Sequence, residues 1–123
     1  MTGLIWFVQI VHYPMLARYP AAMFPGIARE HCDRTGFVVG PLMLVEAASG
    51  GLCLLAGVGE PVFLLSLGLL ALIWLSTAAV QVPLHRRLLR EWDPRAAGRL
   101  SRTNWVRTVA WTLRSACVAL VFL

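Results

Sequence analysis

Three groups of polar residues recur at helical spacing inside apolar runs of this sequence. Gln9, His12 and Tyr13 stand at i, i+3 and i+4; Trp74, Thr77, Gln81 and His85 follow at steps of three and four, as do Asn104, Arg107, Trp111 and Arg114. Each set therefore shares one helix face. A further polar residue, Glu46, stands alone in an apolar stretch. His12, Tyr13 and Glu46 are side chains that take up and release protons. Arg107 is a fixed cation, suited to an oxygen on which negative charge develops. Asn104 beside it would hold the same oxygen, and Trp74 and Trp111 would form aromatic walls, with Gln81 as a further polar contact. Histidines with a carboxylate suit non-haem iron, and two histidines on facing helices suit haem. His12, His85 and Glu46 are thus metal-ligand candidates, although no HxxxH or ExxH spacing is present and the residues require neither cofactor. No Ser-His-Asp set, nucleotide-binding loop or cation-filter motif appears.

Each feature also has a purely structural explanation. Glu46 with Arg107 or Arg114 reads equally as a buried ion pair that fixes helix register. His85 stands beside Arg86 and Arg87 and suits a membrane boundary. Trp105 suits an interface anchor, whereas Trp74 and Trp111 lie too deep for one. Pro14, Pro41 and Pro83 kink or end helices.

The elements that must carry these residues follow from composition. Of 123 residues 59% are hydrophobic and 14% charged, with a mean hydropathy of +0.71. A soluble domain carries about a quarter charged residues, so the apolar excess must face lipid. The expected fold is an all-α, integral membrane four-helix bundle forming a single domain over residues 1–123. Its spans are placed at about 2–18, 37–58, 61–84 and 104–123, since roughly 20 apolar residues cross the hydrocarbon core. The first run is short, reaching span length only when extended towards Tyr19. It lacks the basic lead of a cleavable signal and is expected to remain as a span. Residues 18–36, with Pro20 and Pro25, are expected to form a loop and then a short interfacial helix bearing Ile27 on one side. GVGEP at residues 57–61 is a tight turn.

All basic residues are arginine, and the net charge is +5. Nine of the arginines fall in connections 18–36 and 85–103. This predicts that both connections are cytoplasmic and both termini outside, in a bacterial inner membrane. The same placement argues against nucleic acid, because the charge lines apolar segments rather than a soluble basic face. Cys32, Cys53 and Cys117 are widely spaced and form neither a disulfide framework nor a zinc motif.

The segments GLIWFVQIVHYP, VVGPLMLVE, WLSTAAVQVPLHRRL and NWVRTVAWTLRS together resemble a group of small uncharacterised bacterial four-helix membrane proteins. That resemblance covers most of the chain and implies the fold and inward-turned polar faces. More distantly, QVPLHRRL followed by NWVRT is similar to the anthrone-oxygenase-like membrane family. His85 stands where that family has Asn, and Asn104-Trp105 reverses its Trp-Asn order. This likeness implies oxidation of a polycyclic aromatic substrate without an obvious cofactor, and it carries over only Asn104, Arg107 and Thr108. The architecture is also similar to that of four-helix protoporphyrinogen oxidases, which have a histidine in the first span.

The leading expectation is an oxidoreductase-like membrane protein binding a lipophilic aromatic or quinone-like molecule, with His12, Tyr13, Glu46 and Arg107 in catalytic roles. Its ligand contacts are expected from Trp74, Gln81, Asn104, Thr108 and Trp111. The alternatives are a non-catalytic accessory subunit of a larger membrane complex or a homo-oligomer, and a haem-binding electron carrier using His12 and His85.

Overall fold

The computed structural model describes residues 1–16 and 18–123. Among them, three helices are long and apolar enough to cross a membrane: Phe24–Leu55, Pro61–Leu88 and Pro94–Phe122. They fit a membrane-integral protein. A shorter apolar helix covers Thr2–Leu16; at a rise of about 1.5 Å per residue it extends roughly 22 Å, less than the ~30 Å hydrocarbon core. In chain order these are the first (Thr2–Leu16), second (Phe24–Leu55), third (Pro61–Leu88) and fourth (Pro94–Phe122) helices.

The second helix corrects the expected boundary at Phe37. The interfacial helix and the second span are one unbroken element from Phe24 to Leu55. Pro25 lies in its first turn, where a missing N–H breaks no helical hydrogen bond, and Pro41 is accommodated inside it. The first turns hold because Phe24 and Ala28 are buried against Leu88, Ala96 and Leu100, with Trp92 packed on Phe24 at 4.2 Å between ring centroids. Tertiary packing thus extends the helix well beyond the apolar run. The helix ends where Gly57, at φ 91°, turns the chain. Val58 N–H bonds the Cys53 carbonyl and Gly57 N–H that of Leu54, the paired bonds of a Schellman cap that needs a residue without Cβ.

The third and fourth helices likewise overrun their expected limits, reaching Leu88 and beginning at Pro94. Most of the arginines of 85–103 therefore lie on helix ends. Asp93 caps the fourth helix, its Oδ1 accepting from Arg95 N–H at 2.9 Å and Ala96 N–H at 3.2 Å, and its Oδ2 meets Arg87 at 2.7 Å. The bond from Ala96, with Arg95 N–H and the nearby Arg87 and Arg95 charges, holds the Asp93 carboxyl below its usual value of 3.8. A depressed carboxyl stabilises the fold above its unfolded pKa, and that contribution is lost as pH falls through the folded value. Asp93→Ala should therefore lower the thermal midpoint in detergent at neutral pH. Circular dichroism melts should show the gap from wild type closing below about pH 3.8.

Two stretches widen into π-helix, Val8–His12 and Thr77–Gln81. Tyr13 N–H reaches back to the Val8 carbonyl and Val82 N–H to that of Thr77, five residues in each case. Each is followed two places on by a proline, Pro14 or Pro83. Proline donates no hydrogen bond and crowds the carbonyl four residues earlier; a wider turn relieves that crowding. Such turns gather at functional positions, and these two carry Gln9, His12, Thr77 and Gln81.

Candidate functional site

The polar face of the fourth helix is the centre of the arrangement. Asn104, Thr108 and Trp111 are wholly enclosed and Arg107 is only 7% exposed. Arg107 Nη1 donates to Asn104 Oδ1 at 3.3 Å, Asn104 Nδ2 donates to Gln9 Oε1 at 2.9 Å, and Gln9 Nε2 donates to the Ser101 carbonyl at 3.2 Å. Arginine only donates, so it fixes the amide orientation of Asn104, which in turn fixes that of Gln9. The chain of bonds locks the first helix to the fourth and sets the Arg107 side chain. The guanidinium lies 5.1 Å from the centroid of the Trp111 ring. No carboxylate neutralises it among the described residues, and its Nε has no partner.

Arg107 lines a cavity of about 420 Å³ between the second and third helices. The helices meet closely at Gly50, where an added Cβ would fall 2.9 Å from Leu67 Cδ2. They separate beyond it, and Cys32 Sγ and His85 Nδ1, 3.5 Å apart, bridge them again. Between these two contacts the second helix presents Gly36 and Gly40 to the cavity, each with open space where a side chain would begin. The third helix presents Trp74, Thr77 and Gln81. The result is a slot with a flat glycine wall and an indole on its border, apolar near Val39 and Met43 and polar towards His31, His85 and Arg86.

Gln81 is 1% exposed, and its Nε2 donates to Thr103 Oγ1 at 3.1 Å. The Thr103 hydroxyl donates its proton to the Arg99 carbonyl at 2.7 Å, so towards Gln81 it only accepts. The amide is thereby oriented, and the atom left without a partner is Gln81 Oε1. One cavity is therefore lined by two buried residues with unmet capacity: a charged donor, Arg107 Nε–H, and a neutral acceptor, Gln81 Oε1. Buried polar atoms are seldom left unpaired.

The other expected residues are placed as follows. Asn104, Thr108 and Trp111 stand behind Arg107 rather than on the cavity wall. The Thr108 hydroxyl is spent on the Asn104 carbonyl at 3.2 Å, and Trp111 Nε1 donates to Glu46 Oε2 at 2.8 Å. Glu46 also lies 3.8 Å from Arg114 Nη1, as the ion-pair reading expected of one of the two arginines. The expected proton-handling set of His12, Tyr13 and Glu46 is not brought together. Glu46 lies fifteen positions along the second helix from His31, about 22 Å, whereas His12 stacks on His31 with ring centroids 4.2 Å apart. The same separation removes Glu46 from any metal site with His12 and His85. Among the described residues, no group of three or more His, Cys, Asp or Glu is arranged to hold a metal ion. A haem held between His12 and His85 does not fit either, because His31 lies against both, 5.6 Å from His85. Tyr13 lies 6.3 Å from the rings of both His12 and His85 and borders a small void of about 60 Å³ that Arg107 also reaches. His12 borders the groove between the first and second helices, and its Nε2 is unpartnered.

His31 and Cys32 are the site residues that sequence reasoning passed over. Assigning residues 18–36 to an interfacial segment hid them. The signal available was spacing: His31, Thr35, Val39 and Met43 recur at every fourth position, and all four line the cavity. His31 Nδ1 is held by Thr35 Oγ1 at 2.9 Å.

Comparison with protein-family models, curated proteins and solved structures gives no match to this chain. The functional reading therefore rests on the geometry of the site.

Proposed function

We propose that this is a four-span membrane protein with an oxidoreductase-like site that binds a flat, lipophilic molecule bearing a phenolic or quinone oxygen. The ligand enters the slot between the second and third helices. The observation that carries this reading is a largely apolar cavity lined by Arg107, a buried guanidinium without a carboxylate partner among the described residues, and by the buried amide of Gln81. A phenolic or quinone oxygen in the cavity accepts from the Arg107 guanidinium. A ligand bound as its phenolate is held by the unneutralised guanidinium through a charge-assisted hydrogen bond in a site of low dielectric. The Gly36–Gly40 wall and Trp74 favour a planar ring over a branched chain. The arginine-bearing end, where the polar part of the cavity lies, is assigned to the cytoplasmic side.

Gly40→Leu tests the reading without touching a polar group. Its side chain would begin in open space and grow into the cavity, so the variant should insert and melt as wild type does. It should lose at least tenfold in affinity for 1-naphthol, measured by fluorescence titration in lipid nanodiscs. Unchanged naphthol affinity in a well-folded Gly40→Leu protein would count against the slot.

A further inference from the structure

We infer that Cys32 and His85 form a nucleophilic pair that adds to electrophilic ligands in this cavity, an inference that rests on the aromatic-ligand reading above. Cys32 Sγ lies 3.5 Å from His85 Nδ1, and both residues line the cavity. In the tautomer with its proton on Nε2, His85 presents Nδ1 as acceptor for the thiol proton, the relation that activates a cysteine for attack. His85 is the available base, since His31 Nδ1 is already engaged by Thr35. Cys32 does not stand alone as an indication of a ligand. Gln81, 1% exposed, and Arg107, 7% exposed, line the same cavity with unpartnered polar atoms.

The ligand class is a quinone with an unsubstituted ring carbon. The Cys32 proton passes to His85 Nδ1 and the sulfur forms a bond to that carbon. The ring C=C pair shifts to the bond beside the carbonyl and the carbonyl π pair moves onto its oxygen, which the Arg107 guanidinium holds as an oxyanion. His85 returns the proton to this oxygen, and the hydrogen on the attacked carbon migrates to the second oxygen. The product is a thioether of the hydroquinone. Its atoms and electrons come from thiol and quinone alone. A phenol binds in the same slot but has no electrophilic carbon and is not attacked.

The test treats the whole protein in nanodiscs with 1,4-naphthoquinone and locates adducts by peptide mass spectrometry, with 1-naphthol binding measured in parallel. The expected result is modification of Cys32 at least tenfold faster than of Cys53 or Cys117, slowed by 1-naphthol. His85→Gln should slow it at least tenfold while the thermal midpoint and the labelling of Cys53 stay as in wild type, which shows the fold intact. Cys32 reacting no faster than Cys53, or equally fast in His85→Gln, overturns the pair. Naphthol binding with no Cys32 adduct overturns it too and leaves the ligand reading standing. A His85-dependent adduct that naphthol neither slows nor competes with supports the pair's nucleophilicity and ends the ligand reading.

Discussion

Arg107→Leu should weaken 1-naphthol binding by about tenfold to a hundredfold, the range expected for losing one hydrogen bond to a charged group, about 1.5–3 kcal/mol. The guanidinium is the sole cation on the cavity wall that is itself buried, and it lacks a carboxylate partner among the described residues. Its removal deletes the donor without filling the slot. Arg107→Lys separates charge from geometry. An ammonium keeps the charge, but it lacks the planar fork that bonds Asn104 through Nη1 while its Nε faces no protein acceptor. Lysine should therefore restore only part of the affinity, and more of it for naphtholate at alkaline pH than for neutral naphthol. Equal affinities for wild type and Arg107→Leu would remove Arg107 from the binding site.

Asn104→Leu should destabilise the protein by about 3 kcal/mol, the largest stability effect expected here. It leaves Gln9 Oε1 and Arg107 Nη1 without their partner in a site that water does not reach. Each buried orphan costs about 1–3 kcal/mol, and more when charged. The loss should appear as a lower midpoint in denaturing-detergent titrations followed by circular dichroism. Asn104→Asp should lose less, because a carboxylate still accepts from Arg107 although it cannot donate to Gln9. A midpoint unchanged in Asn104→Leu would mean that the first and fourth helices are held by apolar packing alone.

The helical stripes were legible in the sequence because an uninterrupted helix repeats every 3.6 residues. Gln9, Asn104, Arg107 and Trp111 turned inward as their spacing required. Which polar residue meets which was not legible. The direction of the Gln9–Asn104–Arg107 chain follows from an arginine that only donates, and the register between the first and fourth helices is a tertiary fact. The separation of Glu46 from the histidines was available in part, from its place fifteen residues along the chain from His31. The continuous second helix is set by Phe24 and Ala28 packing on residues more than 50 positions away, which no local pattern records. The π-turns left only a proline two places beyond each as a trace.

We propose that a planar, oxygen-bearing ligand occupies the slot between the second and third helices. Photolabelling answers it most directly, using 1-naphthol carrying a diazirine, protein in nanodiscs, and peptide mass spectrometry to locate the label. Label on residues 36–43 and 74–82, displaced by excess 1-naphthol and absent in Gly40→Leu, is the result predicted. Label spread over the outward apolar positions such as Leu44, Val45 and Leu75, with no displacement, would show the probe dissolved in lipid and contradict the claim.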